Sequence, residues 1–111
     1  MSARLATGLW VAAYLTRLRL AAIPAYLIAR GDDTAGAVIV KLATLNGQAQ
    51  AFERGFDLAT GARVWRVLVA GAEAEVDAVL ARQRSRDRDL WVIEIEDRAG
   101  RTLLEEDGLS G

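Results

Sequence analysis

The side chains in this chain that could do chemistry are carboxylates and arginines. Neither histidine nor cysteine occurs. That removes the commonest general base, the commonest transition-metal ligand and any thiol nucleophile. Serine stands only at Ser2, Ser85 and Ser110, with no histidine to activate it, so serine-hydrolase chemistry is not expected. Two polar sets remain. Arg30, Asp32, Asp33 and Glu94 could bind a small ligand if they converge on a concavity. Arg82, Arg84, Arg86 and Arg88 could meet phosphate or RNA.

Each set has a plainer reading. Gly31-Asp32-Asp33 between two predicted strands resembles the metal-binding hairpin of palm-type polymerases, where paired carboxylates hold Mg²⁺. A palm needs further acids on a neighbouring strand and a far larger chain, and Gly and Asp are good turn residues anyway. No metal and no cofactor are expected. Arg30-Gly31-Asp32 spells the tripeptide of cell-adhesion ligands, which reads as coincidence at a turn. Glu94, Glu96 and Asp97 read as a solvated strand face paired with Arg63 or Arg66. The four arginines spread around a helix rather than along one stripe, and Asp87 and Asp89 dilute them. Nucleic acid is therefore not an expected partner. Val69-Ala70-Gly71-Ala72 joins a strand to a helix as in acetyltransferases of the GNAT type, but a single Gly followed by Glu73 and Glu75 would repel a pyrophosphate.

These residues must be positioned by one domain, since the chain has 111 residues. Net charge is −1, which gives no support to a general nucleic-acid binder. The absence of cysteine fits a reducing compartment, and a cytoplasmic protein is expected. The apolar run Leu9 to Leu15 is followed at once by Arg17 and Arg19. It is too short to span a bilayer, so no membrane segment is expected.

The clearest local signal is Ala37 to Phe56, a strand, a turn at Asn46-Gly47 and a returning strand. A three-residue loop, Leu45 to Gly47, sets Val40 opposite Phe52 and Ile39 opposite Glu53. That register separates an apolar face (Val38, Val40, Leu42, Phe52) from a charged one (Lys41, Glu53), with Gly47 left-handed after a type I turn. Before the hairpin, Ser2 or Thr7 caps a first helix to about Ala22, ended by Pro24. A strand follows at Ala25 to Arg30. After the hairpin, Arg63 to Val69 completes a four-strand meander. A second helix from about Ala72 to Arg86 buries Val76, Val79, Leu80 and Gln83. Leu90 to Glu96 is a strand, and Arg101 to Leu104 a short one.

The expected fold is α+β: a mainly antiparallel sheet of about five strands with two helices on one face, in the order α-β-β-β-β-α-β(β). Residues 1–104 form the domain and 105–111 a loose tail. The first helix is apolar almost all round, which suggests a homodimer meeting through Leu9, Trp10 and Tyr14.

Three segments carry a resemblance. They are Ala3-Arg-Leu-Ala-Thr-Gly-Leu-Trp10-Val, Arg30-Gly-Asp-Asp-Thr-Ala-Gly36-Ala-Val and Asp89-Leu-Trp91-Val-Ile-Glu94. Together they resemble the small bacterial proteins grouped as domain of unknown function 1491, nearly end to end. That family's arginine-rich stretch is matched by Arg82 to Arg86. Its Asp-Pro-Asp-Leu-Trp reads Asp87-Arg88-Asp89-Leu90-Trp91 here, with Arg88 in place of Pro. The resemblance implies no activity. It implies that Arg4, Trp10, Asp32, Gly36, Asp89, Trp91 and Glu94 sit at motif positions, with Trp10 and Trp91 as core anchors and Asp89 as a turn residue. The functional expectation is an uncharacterised, non-enzymatic module that acts through a protein partner or as a homodimer. The alternatives are ligand binding or catalysis through the carboxylate and arginine set, and weak RNA or phosphate binding through Arg82 to Arg88.

Overall fold

The computed structural model describes residues 5–106, 108 and 109. Among them the order is α1 (Thr7–Leu20), β1 (Ala25–Ala29), β2 (Val38–Ala43), β3 (Gln48–Phe56), β4 (Arg63–Ala72), α2 (Glu73–Arg86) and β5 (Trp91–Glu96). This is an α+β fold with two helices and a mostly antiparallel five-stranded sheet. The strand order is β1-β5-β2-β3-β4. β2, β3 and β4 are antiparallel neighbours, as the hairpins require. β1 does not join them, so the expected meander is one strand shorter. β5 is inserted instead, antiparallel to β1 and parallel to β2.

The helices lie on opposite faces of the sheet, not on one face as the sequence suggested. α1 sets Trp10, Val11, Tyr14 and Leu18 against Val40, Leu42, Trp91, Ile93 and Ile95. α2 sets Val76 and Leu80 against Ile39, Ala49, Ala51 and Val92. Both faces of β2 and β5 are therefore covered. Strands apolar on two sides belong at the centre of a sheet, and that explains why β5 displaces β1 from β2. Each large side chain so buried contributes roughly 1.5–3 kcal/mol.

The hairpin has the expected register, Val40 opposite Phe52 and Ile39 opposite Glu53. Gly47 is left-handed (φ 86°), but so is Leu45 (φ 62°), which a type I turn does not allow. Asn46 holds this different loop: its Oδ1 accepts from the Thr44 hydroxyl and the Gln48 N–H. The start of α1 carries no side-chain cap. Thr7 instead donates its hydroxyl to the Gly36 carbonyl at 2.8 Å, and Ser2 lies outside the described residues. Arg101 to Leu104 is not a strand. Its Thr102 carbonyl accepts from the buried Tyr14 hydroxyl at 2.8 Å. Leu104 and, within 105–111, Leu109 are buried on the α1 side.

Candidate functional site

Of the polar residues on the sheet face under α2 that the sequence placed in solvent, Lys41 is buried. Lys41 is only 3% exposed. Its neighbours on β2 alternate between the two helices, so residue 41 points at α2 along with Ile39. Its ammonium reaches Glu73 Oε2 at 2.7 Å and Asp77 Oδ1 at 2.6 Å, both on α2, and Glu94 Oε1 at 3.0 Å on β5. Burial pulls the lysine pKa down, but the hydrogen bonds to Asp77, Glu73 and Glu94 outweigh it and leave the pKa raised. The group is a fixed cation, unsuited to act as a base or an amine nucleophile at neutral pH. One positive charge faces three negative ones, so the cluster has surplus negative charge.

The cluster stands beside an open groove of about 430 Å³. Ile28, Ala29, Leu80 and Val92 supply its apolar walls, and Lys41, Asp77, Glu94 and Arg84 its polar ones. It exists because α2 packs over β3 and β4 and leaves β1 and β5 less covered. On that side Tyr26 and Ile28 are exposed, with Leu27 exposed between them. Tyr26 donates its hydroxyl to Glu96 Oε1 at 3.1 Å, and that bond to the carboxylate raises the phenol pKa.

The predicted polar residues are divided rather than gathered. Arg30 pairs with Asp33 at 2.9 Å on an exposed loop. Asp32 turns its carboxylate to the Thr34 and Ala35 amides of its own loop. Only Glu94 of that set reaches the groove. Of the arginine set, Arg84 lines the groove and donates to the Arg30 carbonyl at 3.2 Å. Arg82, Arg86 and Arg88 are exposed. The strand acids do not pair with Arg63 or Arg66 as expected. Asp97 instead takes Arg101 at 2.9 Å, and hydrogen bonds from the Arg101 side chain and backbone lower its pKa. Arg66 meets Glu53 at 3.5 Å. Trp10 and Tyr14, proposed to face a partner, are buried in the core; Leu9 is exposed. Lys41, Glu73 and Asp77 were missed as a site. A signal was present: Lys41 is the one charge in an otherwise apolar strand.

The motif residues tie the loop after β1 to the start of β5. The Asp89 carbonyl accepts from the Asp32 N–H at 3.0 Å, and the Trp91 indole N–H donates to the Asp32 carbonyl at 2.8 Å. Arg30 lies over the Trp91 ring at 5.1 Å. The contact is close enough that a Cβ on Gly36 would stand 2.3 Å from the Asp89 carbonyl oxygen. Asp89 acts through its backbone; the turn's side-chain acceptor is Asp87, which takes the Asp89 N–H at 3.0 Å. Arg4 lies outside the described residues. The family described as "Protein of unknown function (DUF1491)" matches residues 5–105.

The chain belongs to the DUF1491 family.

Solved members of the family have the same fold. The crystal structure of a DUF1491 protein from Caulobacter crescentus CB15 is 39% identical, with a TM-score of 0.84 over 93% of this chain and 97% of that one. An NMR structure of a DUF1491 protein from the same organism is 38% identical, with a TM-score of 0.80 over 95% and 96%. The solution structure of protein Atu0922 from A. tumefaciens is 28% identical, with a TM-score of 0.70 over 85% and 86%. No curated protein matches the chain. In this DUF1491 protein no described helix is long and apolar enough to cross a membrane. Among its described residues no group of carboxylates is arranged to hold a metal ion; where three converge, the Lys41 ammonium fills the place of a cation.

Proposed function

We propose that the protein is a non-enzymatic cytoplasmic interaction module whose working surface is the groove between α2 and β1. The observation that carries this is one buried ammonium shared by three carboxylates at the edge of an open, apolar-walled groove. A cationic side chain flanked by apolar ones matches it: the cation meets the surplus charge of Glu94 and Asp77, and its neighbours cover Ile28 and Leu80. The occupant is a lysine- or arginine-bearing segment of a protein partner. Acid–base catalysis is not favoured, because the displaced groups move away from neutrality: Tyr14, Tyr26 and Lys41 upward, Asp97 downward.

The test is an NMR titration of the ¹⁵N-labelled protein with acetyl-Leu-Lys-Leu-amide and acetyl-Leu-Glu-Leu-amide. The lysine peptide should shift the Ile28, Leu80 and Glu94 amides, less so in high salt. Equal shifts from both peptides, or none from either, would refute the reading.

Self-association is a second reading, favoured by β1 itself. Ala25–Ala29 is an uncharged edge strand with exposed Tyr26, Leu27 and Ile28, and edges without charge invite pairing. An antiparallel pair centred on Leu27 would set Tyr26 against Ile28 of a second copy. Sedimentation of the wild type and of Leu27→Lys decides it: a monomer throughout excludes this form.

A further inference from the structure

We propose that the open edge of β1 docks an extended segment of a protein partner, which joins the sheet as a sixth strand and sets a lysine or arginine opposite Tyr26. This deepens the groove reading and rests on it: the groove takes the cation, and the edge takes the backbone that carries it. β1 pairs with β5 alone, so it is an edge of the sheet. Its outward hydrogen-bonding groups follow from the ladder. The Glu96 N–H donates to the Pro24 carbonyl at 3.0 Å, which makes 24 and 96 a hydrogen-bonded pair. Antiparallel pairs alternate, so Tyr26 bonds to Glu94, and the N–H and C=O of Ala25 and Leu27 turn to the open edge. No other described backbone group bonds to them. Two donors and two acceptors in a row are what an added strand uses. Pro24 before them and the register shift between Leu27 and Ala29 confine pairing to this short stretch, devices that keep an edge from indiscriminate association.

The side chains along the edge specify the incoming residue. Tyr26, Glu94 and Lys41 lie in one row across β1, β5 and β2, on the α2 face. Glu96 shares that face with Glu94. Tyr26 is exposed, and the bond from its hydroxyl to Glu96 holds the ring in place. A residue added opposite Tyr26 would stand roughly 5 Å from it and 10 Å from Glu94, backbone to backbone. A lysine or arginine stem covers that span. It lies along the tyrosine ring and brings its charge to Glu94 and Glu96. Arg84, the other cation on the groove, donates to the Arg30 carbonyl, past the far end of β1. The residues on either side of the incoming cation turn to the α1 face, where Leu27 is exposed, and one two places away covers Ile28. A second copy of β1 fits less well. Paired about Leu27, it offers Ile28 to Tyr26 and no cation to Glu94 and Glu96.

The test is NMR of the ¹⁵N-labelled full chain with acetyl-Val-Leu-Lys-Leu-Val-amide, its glutamate counterpart, and two forms N-methylated on both leucines or on the lysine. The lysine peptide at saturation should slow hydrogen exchange of the Ala25 and Leu27 amides by about tenfold or more. In an antiparallel strand the leucine N–H groups face β1, so methylating them should cost about tenfold in affinity, and methylating the lysine should cost little; a parallel strand reverses this. Tyr26→Ala should weaken the lysine peptide roughly two- to fivefold. Strand addition is overturned, and the groove reading left standing, if the lysine peptide shifts the Leu80 and Glu94 amides without slowing exchange at Ala25 and Leu27. The same holds if the two methylated forms bind alike. Equal slowing by the lysine and glutamate peptides overturns both readings, as does no binding of the lysine peptide at millimolar concentration. Slow exchange at Leu27 without peptide, growing with protein concentration, assigns the edge to a second copy and overturns the proposal.

Discussion

Removing Lys41 should harm the protein less than removing the three acids around it. The reason is where the charges lie. Lys41 is 3% exposed, whereas the side chains of Glu73, Asp77 and Glu94 are 39%, 54% and 23% exposed. In Lys41→Met the orphaned carboxylates can turn to water, and the methionine keeps apolar contact with the α2 side of the sheet. Ion pairs with solvent-accessible partners are each worth only ~0–1 kcal/mol, so the expected loss is about 1–2 kcal/mol. In the triple variant Glu73→Gln, Asp77→Asn, Glu94→Gln, the ammonium stays buried without a counter-charge. An uncompensated buried charge costs roughly 3–5 kcal/mol. The two should differ by roughly 2–3 kcal/mol, on the order of 10 °C in melting temperature for a chain of this size. Adding Lys41→Met to the triple variant should recover most of the loss, a coupling that a mutant cycle measures directly. Urea denaturation at neutral pH, followed by circular dichroism, gives all the values. If Lys41→Met proves the more damaging change, the acids rather than the lysine are the buried partners and the reasoning fails.

Alkaline stability should fall as Lys41 titrates. An unfolded lysine loses its proton near pH ~10.4, while the folded state holds it to higher pH. Stability is therefore intact below about that pH and declines above it. Lys41→Met should lessen the decline without abolishing it, because burial also raises the Tyr14 pKa. Gly36→Ala should cost about 1–3 kcal/mol by overpacking, because the new methyl group meets the Asp89 backbone; a melting temperature equal to wild type would count against the loop packing. Lys41 is the only lysine of the chain, so an amine-reactive label should modify the native protein at its amino terminus alone and reach residue 41 only in urea. Mass mapping of the labelled peptides checks this.

How much was legible differs from element to element. The hairpin register could be read because strand periodicity and the Asn46-Gly47 turn are local signals, and a slip by one residue would have moved Val40 from the α1 side of the sheet to the α2 side. The helices' placement on two faces was not read, because that depends on which strand lies beside which. The hint was in Val38-Ile39-Val40-Lys41-Leu42-Ala43, where Ile39 and Ala43 are as apolar as Val40 and Leu42. A strand apolar on both faces calls for two covering layers, and Lys41 in such a strand calls for buried counter-charges. The polar motif around Asp32, Asp89 and Trp91 was visible, but its carbonyl-mediated bonding was not, since backbone groups leave no mark on residue identity. Leu109 gave no warning either. In Glu105-Glu106-Asp107-Gly108-Leu109 a single leucine among acids reads as solvated, and only the indole pair made by Trp10 and Trp65, far apart in sequence, gives it a place.

The insertion of β5 between β1 and β2 also sets a schedule. While the chain is being synthesised, β2, β3 and β4 can pair as soon as residue 72 is free, because their contacts are between neighbours in sequence. β1 has left the ribosome long before, yet its partner does not exist until residues 91–96 follow. For that interval the apolar strand Ala25–Ala29 and the inner edge of β2 stay unpaired, and α1 lacks Trp91, Ile93 and Ile95 to pack on. Sheet closure is thus a late, long-range step, of the kind that folds slowly and leaves edges open to other chains meanwhile.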